Sequence, residues 1–122
     1  MSENIFAKRI VDRYLEHGRI FIFNNNNNPE VFLGSADWMN RNVYRRIEVC
    51  FPLYESELKS QIIKIINLQI QDNTQAVALD AHCDNVEIIN DSGASAVRSQ
   101  RAIGEMLVVD AINETVSLPV NV

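Results

Sequence analysis

Apolar and polar positions along this chain follow two periods, and the switch between them sets the expected order of elements. Ile5, Phe6, Ile10, Val11, Tyr14 and Leu15 recur at near-helical spacing, with Lys8, Arg9, Asp12, Arg13 and Glu16 on the other side. That predicts a helix over residues 8–16, ending near His17. Two short apolar runs follow, residues 20–23 and 31–33, around an all-Asn stretch that ends at Pro29. They predict a β-hairpin, with Asn suited to the left-handed backbone angles of its loop. Ile47, Val49 and Phe51 then alternate with Arg46, Glu48 and Cys50 as in a half-buried strand. Trp38 and Met39 are expected to pack beneath the hairpin.

The second half reads more simply. Ser56 stands as an N-cap for a helix over residues 57–71, with Leu58, Ile62, Ile65 and Ile66 on a stripe wide enough to cover a sheet. Residues 75–79 and 86–89 predict strands around a polar turn that holds His82 and Cys83. Asp91, Ser92 and Gly93 break the chain before a final helix over residues 94–113, with Val97, Ile103, Met106, Leu107 and Ala111 on its buried side. The expected class is α/β, a mixed sheet covered by two long helices, without internal repeats.

Composition narrows this picture. With 122 residues, 47% of them hydrophobic, the chain suits one domain over residues 1–122 with one modest core. No apolar run approaches the ~20 residues of a spanning helix, and no signal segment is legible, so a soluble, cytoplasmic protein is expected. A net charge of −5 argues against a nucleic-acid surface, whereas Arg41, Arg45 and Arg46 form a local basic patch suited to a small polyanion. Cys50 and Cys83 lack metal-type spacing and read as packing residues, as does His82; no metal site is expected.

The candidate chemistry gathers in residues 15–52. His17 and Arg19 lie two apart, so an extended backbone points both to one face. After the second strand come Gly34, Ser35, Asp37, Asn40, Arg41 and Asn42, which a hairpin returns toward His17. HGR, a hairpin and GSADWMNRN resemble the H-x-K and G-S-x-N motif of the phospholipase D superfamily. LEHGRIFIF followed by GSADWMNRNVYRRIEVCFP is more closely similar to the carboxy-terminal domain of bacterial polyphosphate kinase. That likeness extends upstream through Ser2 to Ile5 and Ile10 to Arg13, and thinly downstream to Val97 through Gln100.

The resemblance implies a phospholipase D-like fold and a reversible transfer of the terminal phosphate of ATP to inorganic polyphosphate through a phosphohistidine, with Mg. In that family the phosphorylated histidine and the metal-binding groups lie in preceding domains, so His17 would be the second, assisting histidine. Arg19 stands where the superfamily has Lys, and Ser35 at the Ser position; both would bind phosphate, with Arg45 and Arg46 beside them. Asp37 replaces the superfamily's Asn, a departure that favours polyphosphate kinase; its other reading is structural, pairing with Arg19 or capping the next segment. Asn40, Asn42 and Glu48 are assigned supporting places. Asn24 falls where the superfamily motif has Asp, and the longer His17-to-Ser35 interval is placed in the Asn loop, where length costs little.

The likeness implies ATP, ADP and polyphosphate as small-molecule partners, upstream domains of a homo-oligomeric parent as protein partners, and an optional peripheral association with the inner membrane face. The expectation is a carboxy-terminal portion of such an enzyme, inactive alone. Two other classes stay open: a phospholipase D-like phosphodiesterase completed by dimerisation, and a non-catalytic interaction module.

Overall fold

The computed structural model describes residues 3–89 and 93–117. The fold is mixed α/β, with antiparallel sheets and helices. The order is β1 (Lys8–Ile10), β2 (Ile20–Phe23), β3 (Glu30–Gly34), α1 (Asn40–Arg45), β4 (Cys50–Leu53), α2 (Ser56–Gln71), β5 (Ala76–Leu79), β6 (Asn85–Glu87) and α3 (Ser99–Ser117). The strands form two three-stranded antiparallel sheets, β1-β5-β6 and β2-β3-β4. The chain divides into two compact units, Met1–Tyr14 with Lys64–Val122, and Leu15–Ile63.

In the second unit the hairpin forms as expected. Ile20 faces Leu33 and Phe23 faces Glu30, with Val31 buried at the centre of the sheet. Asn25, Asn26 and Asn27 take φ of 42°, 54° and 64°, left-handed angles that Asn adopts more readily than most side chains. β4 adds to β3 in the register Val31 to Leu53 and Gly34 to Cys50. As an edge strand it tolerates Pro52, which has no N–H to give a ladder.

The expected alternation over residues 46–51 is not observed. Ile47 is 99% exposed and Val49 and Phe51 are also exposed. The reason is local: Ser35 and Val49 tie to each other, Ser35 N–H to the Val49 carbonyl at 2.9 Å and Val49 N–H to Ser35 Oγ at 3.1 Å. The regular strand begins only at Cys50. Trp38, expected inside, is 87% exposed, stacked against Phe21 with ring centroids 6.3 Å apart, and Met39 is exposed as well. Between them and β4 lies α1, a short helix that the periodicity did not announce.

In the first unit the expected helix over residues 8–16 is replaced by β1 and a loop. Arg9 pairs with Val77 and Ile10 with Ala76, and Phe6, Val11, Tyr14 and Leu15 are exposed, so of the apparent helical stripe only Ile10 is half-buried. A strand pairing overrode a weak period. Lys8 sends its ammonium to the Ile70 and Asp72 carbonyls, the latter at 2.9 Å, satisfying acceptors at and just beyond the α2 C-terminus. α2 itself begins one residue early. Lys59 N–H bonds the Glu55 carbonyl at 3.0 Å, so Ser56 lies inside the first turn rather than capping it.

Asp72 organises the rest of this unit. Its buried carboxylate accepts the amides of Thr74, Gln75 and Ala76 on Oδ1 at 3.0, 2.8 and 3.1 Å, and that of Ser99 on Oδ2 at 2.7 Å. One side chain thereby turns the chain into β5 and caps α3. Burial pushes its pKa up, but the amides of Ser99, Gln75 and Thr74 more than reverse this and hold it at about 2, against an ordinary 3.8. Asn73 clasps the segment before α3, its Oδ1 taking Val97 N–H at 2.7 Å and its Nδ2 reaching the Ser95 carbonyl at 3.0 Å. This explains why the helix expected from residue 94 starts at Ser99 and leaves Val97 outside. Leu107 and Ala111, expected on a buried side of α3, are exposed. The β5-β6 turn forms as expected, with Asp80 Oδ1 holding the amides of His82 and Asp84. The strand expected over residues 86–89 forms as Asn85–Glu87; of the expected break, Asp91 and Ser92 lie outside the described residues, and Gly93 has φ of 124°.

Candidate active site

The residues singled out in the sequence fall into two connected groups on the second unit. The first joins the start of β2 to the segment after β3. Arg19 donates Nε to Asp37 Oδ1 at 2.8 Å and places Nη2 2.7 Å from the same oxygen. Its Nη1 donates to the backbone carbonyl of His17 at 2.9 Å. Gly34 N–H bonds the Arg19 carbonyl at 2.9 Å, which carries the β2-β3 ladder one residue toward His17. The guanidinium is therefore fixed at one end by a carboxylate and at the other by the backbone that bears the imidazole. His17 itself is exposed.

The second group ties three segments through Glu48. Ser35 Oγ donates to Glu48 Oε2 at 2.5 Å, and Asn42 Nδ2 donates to Glu48 Oε1 at 2.8 Å. Asn42 is the buried residue of α1, and its Oδ1 has no hydrogen-bond partner among the described residues. The Ser35 hydroxyl, with its proton on Glu48 and an oxygen lone pair on Val49 N–H, is committed within the fold; to donate to a phosphate it must leave Glu48. Hydrogen bonds from Ser35 and then Asn42 hold the Glu48 carboxyl below its ordinary value; Arg46 pulls the same way and Asp37 opposes. The two groups are thus in electrostatic reach of one another.

Arg45 ends α1 and Arg46 follows it; both are exposed, as is Arg41. Asn40, the first residue of α1, is exposed and is not joined to either group by the bonds described. The Glu48 triangle was not legible as a unit: Ser35 and Glu48 are 13 residues apart, and only the β3-β4 pairing brings them together. Asp37 and Glu48, the acidic groups here, are engaged with Arg19 and with Ser35 and Asn42. No cluster of three metal-ligating side chains occurs among the described residues. The described residues do not fit a magnesium site. Arg19, Arg45 and Arg46 are chemically suited to the oxygens of a phosphate chain.

His17 and the fixed Arg19 precede the β2-β3 hairpin, and the exposed Arg41, Arg45 and Arg46 lie in and just after α1 of the same unit. The chain belongs to the polyphosphate kinase C-terminal domain 2 family, whose model matches residues 1–100. It is 42% identical over 107 residues to a polyphosphate kinase of Vibrio cholerae and 46% identical over 103 residues to one of Klebsiella pneumoniae. These alignments cover 88% and 84% of this chain but 15% of each relative. The crystal structure of polyphosphate kinase from Porphyromonas gingivalis matches with a TM-score of 0.84 at 42% identity, over 88% of this chain and 16% of that one. No helix among the described residues is long and apolar enough to cross a membrane.

Proposed function

We propose that this chain supplies the assisting-histidine half of a polyphosphate kinase site, in which the terminal phosphate of ATP passes through a phosphohistidine to inorganic polyphosphate. The observation that carries the reading is the Arg19 fork, which holds Asp37 with two nitrogens and the His17 carbonyl with the third. Such a fork fixes where an exposed imidazole begins. It also keeps a cation beside it.

The chemistry divides as follows. A histidine outside this chain attacks the terminal phosphorus of ATP, the P–O bond to ADP breaks, and a terminal oxygen of polyphosphate later takes the phosphoryl group from that histidine. His17 holds or returns the proton on the entering or leaving oxygen. Arg19, Arg45 and Arg46 offset the charge on the non-bridging oxygens. Ser35 and Glu48, tied to each other, with Asn42 fixed on the same carboxylate, keep the turn after β3 in shape beneath them. Magnesium, where the reaction uses it, would be held by groups outside this chain. A single histidine half lacks the nucleophile, so the chain alone does not turn over.

The test is phosphate transfer from labelled ATP to polyphosphate by this chain, with and without the separately expressed upstream portion of a family polyphosphate kinase. Activity only on recombination supports the reading. Activity of the chain alone would show that it carries a complete site. Hydrolysis of a phosphodiester with no transfer to polyphosphate would favour the phospholipase D-like alternative.

A further inference from the structure

Two stretches that carry the family likeness, Ile10 to Arg13 and Val97 to Gln100, have no part in the half-site around His17. They meet in the first unit. Arg98 sets Nε 2.9 Å from Asp12 Oδ2 and Nη2 2.5 Å from Oδ1, and Arg13 N–H donates to Oδ1 at 2.7 Å. Gln100 donates its Nε2 to the Tyr14 carbonyl at 2.6 Å and accepts Tyr14 N–H on Oε1 at 3.1 Å. The Asp12 side chain is 1% exposed, so its charge is spent inward on Arg98.

What this junction presents is a hollow of about 260 Å³ lined, among the described residues, by Arg13, Tyr14, Arg98, Gln100 and Arg101. A second hollow of about 460 Å³ shares Arg98 and Arg101 and contains Glu105, which takes Arg101 Nε at 2.8 Å. That pair leaves the two Nη groups of Arg101 outside it, and the Asp12 bonds leave Nη1 of Arg98 outside them. Arg13 lies over the Tyr14 ring, 5.6 Å from its centroid. Arg98 and Arg101 each share a carboxylate, Asp12 and Glu105, and keep nitrogens outside those bonds; with Arg13 they offer forked donors that match several anionic oxygens in a row better than one small anion.

We infer that this hollow binds a linear oligophosphate through Arg13, Arg98 and Arg101. The naming of the anion as a polyphosphate rests on the function proposed above; the cationic hollow does not. The test is an NMR titration of the 122-residue chain at constant ionic strength, following backbone amides and arginine Nε–H signals. The probes are inorganic tripolyphosphate, orthophosphate and ATP.

Tripolyphosphate should give saturable shifts at Arg13, Arg98 and Arg101. Arg13→Ala and Arg101→Ala should each weaken these about three- to tenfold, and Arg101→Lys less, while Arg19→Ala leaves them unchanged. Neither Arg13 nor Arg101 is used by the Asp72 core, so the variants report on binding. Shifts confined to residues 17–46, with no effect of the two alanine variants, would overturn the hollow and leave the half-site standing. Equal, non-saturating responses to orthophosphate and tripolyphosphate would overturn it as simple screening. Tighter binding of ATP than of tripolyphosphate would overturn the assignment to a linear chain in favour of a nucleotide. Failure of the recombination assay with the tripolyphosphate shifts intact would count against the proposed function alone.

Discussion

Asp72 in one unit and Glu48 in the other are both carboxylates that join separate segments by accepting hydrogen bonds, one wholly buried and the other partly exposed. Asp72 is wholly buried and takes four backbone amides, from the approach to β5 and the first residue of α3. Glu48 is partly exposed and takes two side chains, Ser35 and Asn42, beside a patch of arginines. A buried carboxylate satisfied by amides shapes the fold and is closed to a ligand. A partly exposed one among side-chain donors can release them. The comparison separates a carboxylate closed within the backbone from one whose side-chain partners can exchange.

The largest expected effect tests the chemical side. His17→Ala in a family polyphosphate kinase that contains this sequence should lower polyphosphate synthesis by about 10²- to 10⁴-fold, the usual contribution of a proton-transfer group. Thermal unfolding should be unchanged, because His17 is exposed and its carbonyl, which Arg19 holds, is kept by alanine. Near-normal synthesis would remove His17 from the mechanism.

On the structural side, Asp72→Ala should cost the isolated chain on the order of 3 kcal/mol in a urea titration, since buried amides lose a charged acceptor. Acid gives an independent reading. The Asp72 pKa is depressed from 3.8 to about 2, so its contribution of roughly 2 kcal/mol is present above pH ~4 and is lost as pH falls through about 2. Asp72→Asn should flatten stability across that window. An unchanged acid limb in the variant would mean that another carboxylate governs it.

The hairpin was readable because two β-branched and aromatic runs bracket a stretch of Asn, and the outcome depends on neighbours in sequence alone. The motif residues were readable one at a time for the same reason, and the Arg19 to Asp37 pair was foreseen as one reading of Asp37. What the sequence did not announce is what depends on remote partners. Residues 8–10 look helical until β5 offers a ladder. The start of α3 is set by Asp72 and Asn73, far upstream. Trp38 and Ile47 look like core residues by type, yet among the described residues Val31 and Ala76 are the only buried hydrophobic ones. Hydrophobicity predicts burial only where an element supplies a covering face.

Arg19 sits between the two extremes, since its guanidinium serves the backbone and the site together. Arg19→Ala should reduce transfer about 10- to 100-fold in the same full-length enzyme, through loss of both the cation and the hold on the His17 carbonyl. Arg19→Lys keeps the charge and loses only the planar fork, so it should be milder. Equal losses in the two variants would place the effect in the fork and not in the charge.

The smallest effect should come from Glu48. Glu48→Gln keeps the shape and still offers one carbonyl oxygen, so unfolding should shift less than for Asp72→Asn, and transfer should fall only a few-fold. Its sign with pH is fixed by the hydrogen bonds from Ser35 and Asn42, which depress the Glu48 pKa below its ordinary 4.5. The ties are therefore complete above about pH 4.5 and are lost as pH falls beneath that range. Carbon-13 NMR of the carboxyl groups, read together with the Ser35 and Asn42 signals, follows this directly. If Glu48 instead titrates at or above its ordinary value, the Ser35 hydroxyl is not held by it in solution. Ser35 would then be free to meet a phosphate without first breaking a bond, and Glu48 would no longer stand as the releasable counterpart of Asp72.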